Sequence, residues 1–117
     1  MIAEFVSFAA PEGSTRADIV KGALDTVARW QANPDLVRKH YMVSPDKRQL
    51  MGMYVWPSIE AAQEGHSPEW IAQTEARIGG KVSIAYYDLF MTLDNAAGTL
   101  THYPPEPPSP AGAVPSL

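Results

Sequence analysis

His66, His40, Lys39 and Tyr54 are the side chains best suited to move a proton or to face a developing negative charge. Imidazole is neutral and basic near neutral pH, so either histidine is a candidate general base. His66 lies in a break between two helical patterns, where Glu64 and Glu69 are close enough in sequence to orient the ring; the plainer alternative is a surface-loop histidine. His40 sits inside a strand pattern and reads equally as strand or interface. Arg38 and Lys39 are adjacent, so a central strand must turn one of them away from solvent. A desolvated cation there would stabilise an enolate or carboxylate, with Tyr54 adding a hydrogen bond; a side chain snorkelling at a sheet edge is the alternative. Glu4 and Asp88 are carboxylates within strand patterns, readable as cross-strand partners of cations.

Trp30, Trp56 and Trp70 fall at the end of a helix, the end of a strand and the first turn of another helix. Converging, they would wall a cavity for a planar apolar ligand, although core packing accounts for any one of them. Tyr41 shares a strand face with Lys39 and joins the three tryptophans as a ligand-binding candidate. No metal site is expected, because His66-Ser67-Pro68-Glu69 supplies at most two ligands at a poor spacing. Cysteine is absent, which excludes disulfides and thiolate chemistry. Gly79-Gly80 precedes a strand rather than a helix, the wrong context for cradling phosphate, and no GxSxG elbow occurs.

The elements that must position these residues follow from pattern and punctuation. Ile2 to Phe8 alternates as a first strand, closed by Ala10-Pro11-Glu12-Gly13. Thr15 and Asp18 form an acidic capping box for an amphipathic helix from Arg16 to Gln31, which Asn33-Pro34 stops. Leu36 to Val43 is a second strand, and the turn Ser44 to Arg48 makes it a hairpin with Gln49 to Trp56. That third strand is buried on both faces: Gly52, Tyr54 and Trp56 on one, Met51, Met53 and Val55 on the other. Ser58 caps a short helix over Ile59 to Glu64. Ser67-Pro68-Glu69 opens another that reaches Ile78 and ends at Gly79. Val82 to Leu93 reads as one long last strand.

The order predicts an α+β, ferredoxin-like βαββαβ domain with a split second helix over residues 1–95. Its uncovered apolar sheet face predicts a homodimer. Residues 96–117 form a proline-rich tail holding six of the eleven prolines, expected to be extended and pinned against its own domain or a partner subunit. The chain has 117 residues, enough for one core, and a net charge of -4. No basic cluster follows a phosphate backbone, so neither nucleic acid nor a membrane is an expected partner. Without a leader-like start or a spanning apolar run, the chain reads as cytoplasmic.

Through LVRKHYMV, GMYVW, the following EAA helix and YDLFMTLDN, residues 1–95 resemble the YdhR-type monooxygenase family, within the antibiotic-biosynthesis-monooxygenase-like dimeric α/β barrels. The resemblance implies a homodimer with a pocket between sheet and helices. It also implies cofactor-independent oxygenation of an apolar, aromatic or polyketide-like molecule through a carbanion. Similar barrels that degrade haem place an axial histidine where Thr74 stands here, and threonine cannot take that role. One barrel serves many chemistries, so an isomerase- or lyase-type enzyme and a non-catalytic small-molecule-binding dimer remain alternatives.

Overall fold

A computed structural model describes residues 1–105. The alternation at the amino terminus produces β1 (Ile2–Ala9), and its register makes it the middle of the sheet. It pairs antiparallel with β3 (Gln49–Trp56) on one side and β4 (Ser83–Asp88) on the other; β2 (Arg38–Val43) extends the sheet beyond β3, giving the order β2-β3-β1-β4. This is the ferredoxin-like order, with α1 (Arg16–Leu24), α2 (Val27–Gln31), α3 (Ile59–Gly65) and α4 (Pro68–Ile78) as connections.

Register assigns the faces. Ile2, Glu4 and Val6 lie beside Trp56, Tyr54 and Gly52 under the helices, where Ile2, Val6, Trp30, Tyr54, Trp56, Ala61 and Ala62 form the buried core. Ala3, Phe5 and Ser7 lie beside Val55, Met53 and Met51 on the opposite face, which carries no helix. That open face is apolar, with Tyr87 and Met42 exposed and an edge-on Phe5–Tyr87 contact at 5.6 Å.

Local chemistry sets the ends. Thr15 and Asp18 form the reciprocal capping box of α1, while Ser58 and Ser67 cap α3 and α4 by accepting from the amides of Ala61 and Trp70. Gly79, at φ 68°, closes α4 in the left-handed conformation. The close approach at Gly65 is of another kind. A Cβ there would collide with the Trp56 ring, so glycine lets the last turn of α3 rest directly on the indole.

Three expectations are corrected. The helix over Arg16 to Gln31 is broken at Asp25-Thr26, because the Thr26 hydroxyl and amide both turn back to the Ala23 carbonyl, at 2.7 and 3.0 Å. β2 begins at Arg38, two residues later than the pattern suggested. The long last strand ends at Asp88, where the Leu89 amide bonds the Met1 carbonyl; the chain then forms a separate hairpin of β5 (Met91–Asp94) and β6 (Thr99–His102). Part of the expected tail is therefore strand. The expectation that the tail's later residues are pinned to a domain lies outside the described residues.

Gly65→Ala should destabilise the fold by about 1–3 kcal/mol, the usual cost of overpacking a filled core. Denaturant unfolding followed by tryptophan fluorescence measures it; unchanged stability would mean that α3 can lift off Trp56 freely.

Candidate active site

The register that centres β1 also places a carboxylate in the core. Glu4 opposes Tyr54 on β3 and Tyr86 on β4, and its side chain is fully buried. Trp56, diagonal to it on β3, donates its indole Nε1–H to Glu4 Oε1 at 2.9 Å. His66 Nδ1 meets the same oxygen at 2.7 Å. Where the Glu4 carboxylate is ionised it only accepts; the shared proton is then on Nδ1, and Nε2 is the position where a proton can come and go. His66 Nε2 and Glu4 Oε2 are buried and make no hydrogen bond among the described residues.

His66 reaches this position because α3 stops at Gly65 and α4 restarts at Pro68. His66, the first of the two residues between them, leaves helical geometry at φ −121°, ψ 70°, and its ring turns down onto the sheet. Aromatic side chains then enclose it: Tyr54, Trp70 and Trp30 have ring centroids 4.4, 4.5 and 4.9 Å from the imidazole. Trp56 approaches edge-on at 6.3 Å. Only 2% of His66 is exposed.

On the β2 side of this cluster Lys39 lies with its Nζ 3.9 Å from the Tyr41 ring centroid, 4.7 Å from Tyr54 and 5.0 Å from Trp30. Burial, and then the nearby Arg29 guanidinium, lower its pKa to about 8. Tyr54 is pushed the other way: burial first, then the Glu4 charge and Tyr41, raise its phenol well above the ordinary value. Burial and Glu4 raise Tyr86 in the same sense. The Tyr41 hydroxyl shares a hydrogen bond of 3.0 Å with Thr26, at the α1–α2 break.

The structure thus brings together His66, Lys39, Tyr54, Tyr41, Trp30, Trp56 and Trp70. It separates His40, which pairs with Met53 in register and lies on the open face with Arg38. The partner of His66 is also corrected: Glu64 and Glu69 are exposed, and the carboxylate comes from Glu4, a residue in a different element. The tryptophans converge as expected but pack against His66, filling the space they were expected to wall. The two concavities that line up with the sheet, of about 570 and 460 Å³, belong to the open face around Phe5, Met51, Met53 and Tyr87. Glu4 itself was the residue missed. Its signal was parity, since a glutamate between Ile2 and Val6 on one strand face must enter the core with them.

What the arrangement can do is proton transfer without water. The fold alone has no need of a carboxylate there, because burying one costs several kcal/mol unless its bonds are well made, and an apolar residue of similar size would fill the site. A hydrogen-bonded carboxylate–imidazole pair kept inside an aromatic shell is an arrangement suited to a functional site. Among the described residues no group of three or more His, Cys, Asp and Glu could hold a metal ion, and no helix is long and apolar enough to cross a membrane.

No family model matches the chain, and no curated protein matches it. Solved structures do. The chain is similar to SnoaB, a cofactor-independent oxygenase from Streptomyces nogalater, with TM-score 0.56 and 16% identity over 79% of this chain and 95% of that one. It is similar to the ActVA-Orf6 monooxygenase of Streptomyces coelicolor in complex with nanaomycin D, with TM-score 0.55 and 20% identity over 74% and 84% of the two chains. A third similar structure is an antibiotic biosynthesis monooxygenase, with TM-score 0.57 and 14% identity over 76% and 98%. The chain has an α+β, ferredoxin-like fold, which it shares with these structures.

Proposed function

We propose that this chain is a cofactor-independent monooxygenase acting on an apolar, aromatic or polyketide-like molecule, with His66 as the base that starts the reaction. The observation that carries this reading is the Glu4–His66 pair, whose free Nε2 is enclosed by Tyr54, Trp30 and Trp70. The similar oxygenase structures supply the reaction class, and the YdhR-like stretches named above support the narrower grouping. His66 Nε2 takes a proton from an activated methylene, and Glu4 holds the resulting imidazolium through Nδ1–H. The carbanion passes an electron to dioxygen; the two radicals combine, and the peroxide collapses. One methylene and one dioxygen give one carbonyl and one water. Lys39 carries a positive charge below about pH 8 and faces the substrate oxygen that becomes an oxyanion. Water is excluded by the rings, and α1 is the segment that moves aside for the ligand, since it buries none of its own side chains fully and leaves Val20 and Leu24 exposed.

Oxygen uptake with a panel of anthrone-like substrates tests this. His66→Gln should lower the rate by about 10²–10⁴-fold, the usual contribution of a general base. Glu4→Gln should lower it less and displace the pH profile, whereas His40→Ala should have a far smaller effect than either. Near-ultraviolet circular dichroism checks that the tryptophan cluster survives. Wild-type rates in a folded His66→Gln protein would overturn the assignment. Substrate turnover under nitrogen would instead favour the isomerase- or lyase-type use of the same base.

We also propose that the active form is a homodimer joined through the open sheet faces. Phe5, Met42, Met51, Met53 and Tyr87 make that face apolar and no helix covers it, the character of an interaction surface. Light scattering should give twice 12.8 kDa, and Met53→Asp should shift the protein to the monomer. A monomeric wild type at micromolar concentration would reject the dimer.

A further inference from the structure

Lys39 differs in its surroundings from the other lysines. Its strand β2 is at the sheet edge, but the side chain turns under the helices, where its amine rests on the faces of Tyr41, Tyr54 and Trp30. Among the described residues no carboxylate lies within ion-pair distance of Nζ, and Glu4 is engaged with His66. The charged group nearest to it in effect is another cation, Arg29 of α2, stacked 4.8 Å over Trp30. Lys39 is part-buried rather than sealed, so a small molecule can reach it. Lys21 and Lys81 are exposed, and Lys47 donates to the Pro45 carbonyl in the β2–β3 turn.

We propose that Lys39 is a reactive amine that forms an imine with a flat aromatic aldehyde or ketone held against the Tyr41, Tyr54 and Trp30 rings. In this step the Nζ lone pair forms a bond to the carbonyl carbon. The carbonyl oxygen leaves as water, carrying both amine hydrogens, and a C=N double bond remains; no oxidant or reductant is consumed. Desolvation next to a second cation is the arrangement that frees a lysine amine for such attack. The groups facing Lys39 are Arg29 from α2, Tyr41 from its own strand and Tyr54 from β3, with Glu4 behind Tyr54. Only the first is a cation. With a pKa of about 8, half of the amine is free at that pH, against less than about 1% for an ordinary lysine. The ring faces select the ligand, because a planar conjugated carbonyl stacks where an aliphatic one has nothing to grip. This chemistry is independent of oxygen and of His66, so it stands or falls apart from the oxygenase reading.

The test traps the imine in the full-length wild-type protein with naphthaldehyde and cyanoborohydride from about pH 6 to about pH 10, locating the reduced adduct by peptide mass spectrometry. Lys39 should be labelled at least about tenfold faster than Lys21, Lys47 and Lys81 at about pH 8. Its rate should rise with a midpoint near 8, and Arg29→Gln should move that midpoint upward. Formaldehyde should mark Lys39 with much less preference. Labelling of Lys39 no faster than the other three, or a midpoint in the ordinary lysine range, would overturn the proposal.

Discussion

A single carboxylate oxygen organises the interior. Glu4 Oε1 accepts from Trp56 on the neighbouring strand and pairs with His66 between two helices, so one atom ties strand to strand and sheet to helix layer. The tie has consequences along the chain. Trp56 is held flat enough for Gly65 to lie on it, and α3 must end there for His66 to turn inward. α4 then starts afresh from Ser67, which aims Trp70 at the imidazole. Each of these steps is local in its cause, yet all of them converge on one buried charge.

The two helical arms are unequal. The α3–α4 arm is anchored by Ala61, Ala62, His66 and Thr74, all buried, whereas the α1 helix contributes no buried residue and the short α2 contributes only Trp30. Stability is therefore graded across the helix layer, with the rigid half holding the Glu4–His66 pair and the looser half lying over Lys39 and Tyr41. The Thr26–Tyr41 hydrogen bond and the Lys39–Trp30 cation–π contact link the loose arm to the β2 edge. Such a division suits a site that must be dry when filled and still admit its ligand.

The sequence made some of this legible and hid the rest for physical reasons. Capping residues and left-handed glycine are local signals, so Ser58, Ser67 and Gly79 marked their helix ends within a residue. Two-residue alternation likewise put Tyr54 and Trp56 on one face and Met51 and Met53 on the other. The break at Thr26 was hidden because Val20, Leu24 and Val27 continue a single stripe across it. The end of β4 was hidden by a run of strand-forming residues, and β5–β6 by a turn of Asn95, two alanines and Gly98 in which only the last carries a strong signal. Glu4 and His66 are 62 residues apart, and their meeting depends on register and on helix placement, which no local pattern contains. The near neighbours Glu64 and Glu69 were the misleading choice because proximity along the chain is not proximity across a core.

The central position of β1 bears on how the protein is made. The first strand of this sheet in chain order is one that needs partners on both edges, and the second of these, β4, begins only at Ser83. The β1 edge therefore stays open through most of translation, and the sheet closes by contacts of long sequence separation, which makes folding slow and late. An exposed apolar strand is prone to pair with a neighbouring chain during that interval. Glu4 interrupts the apolar face of β1 with a charge that is costly to bury anywhere except beside Trp56 and His66. A charge at that position disfavours any other pairing of this strand face.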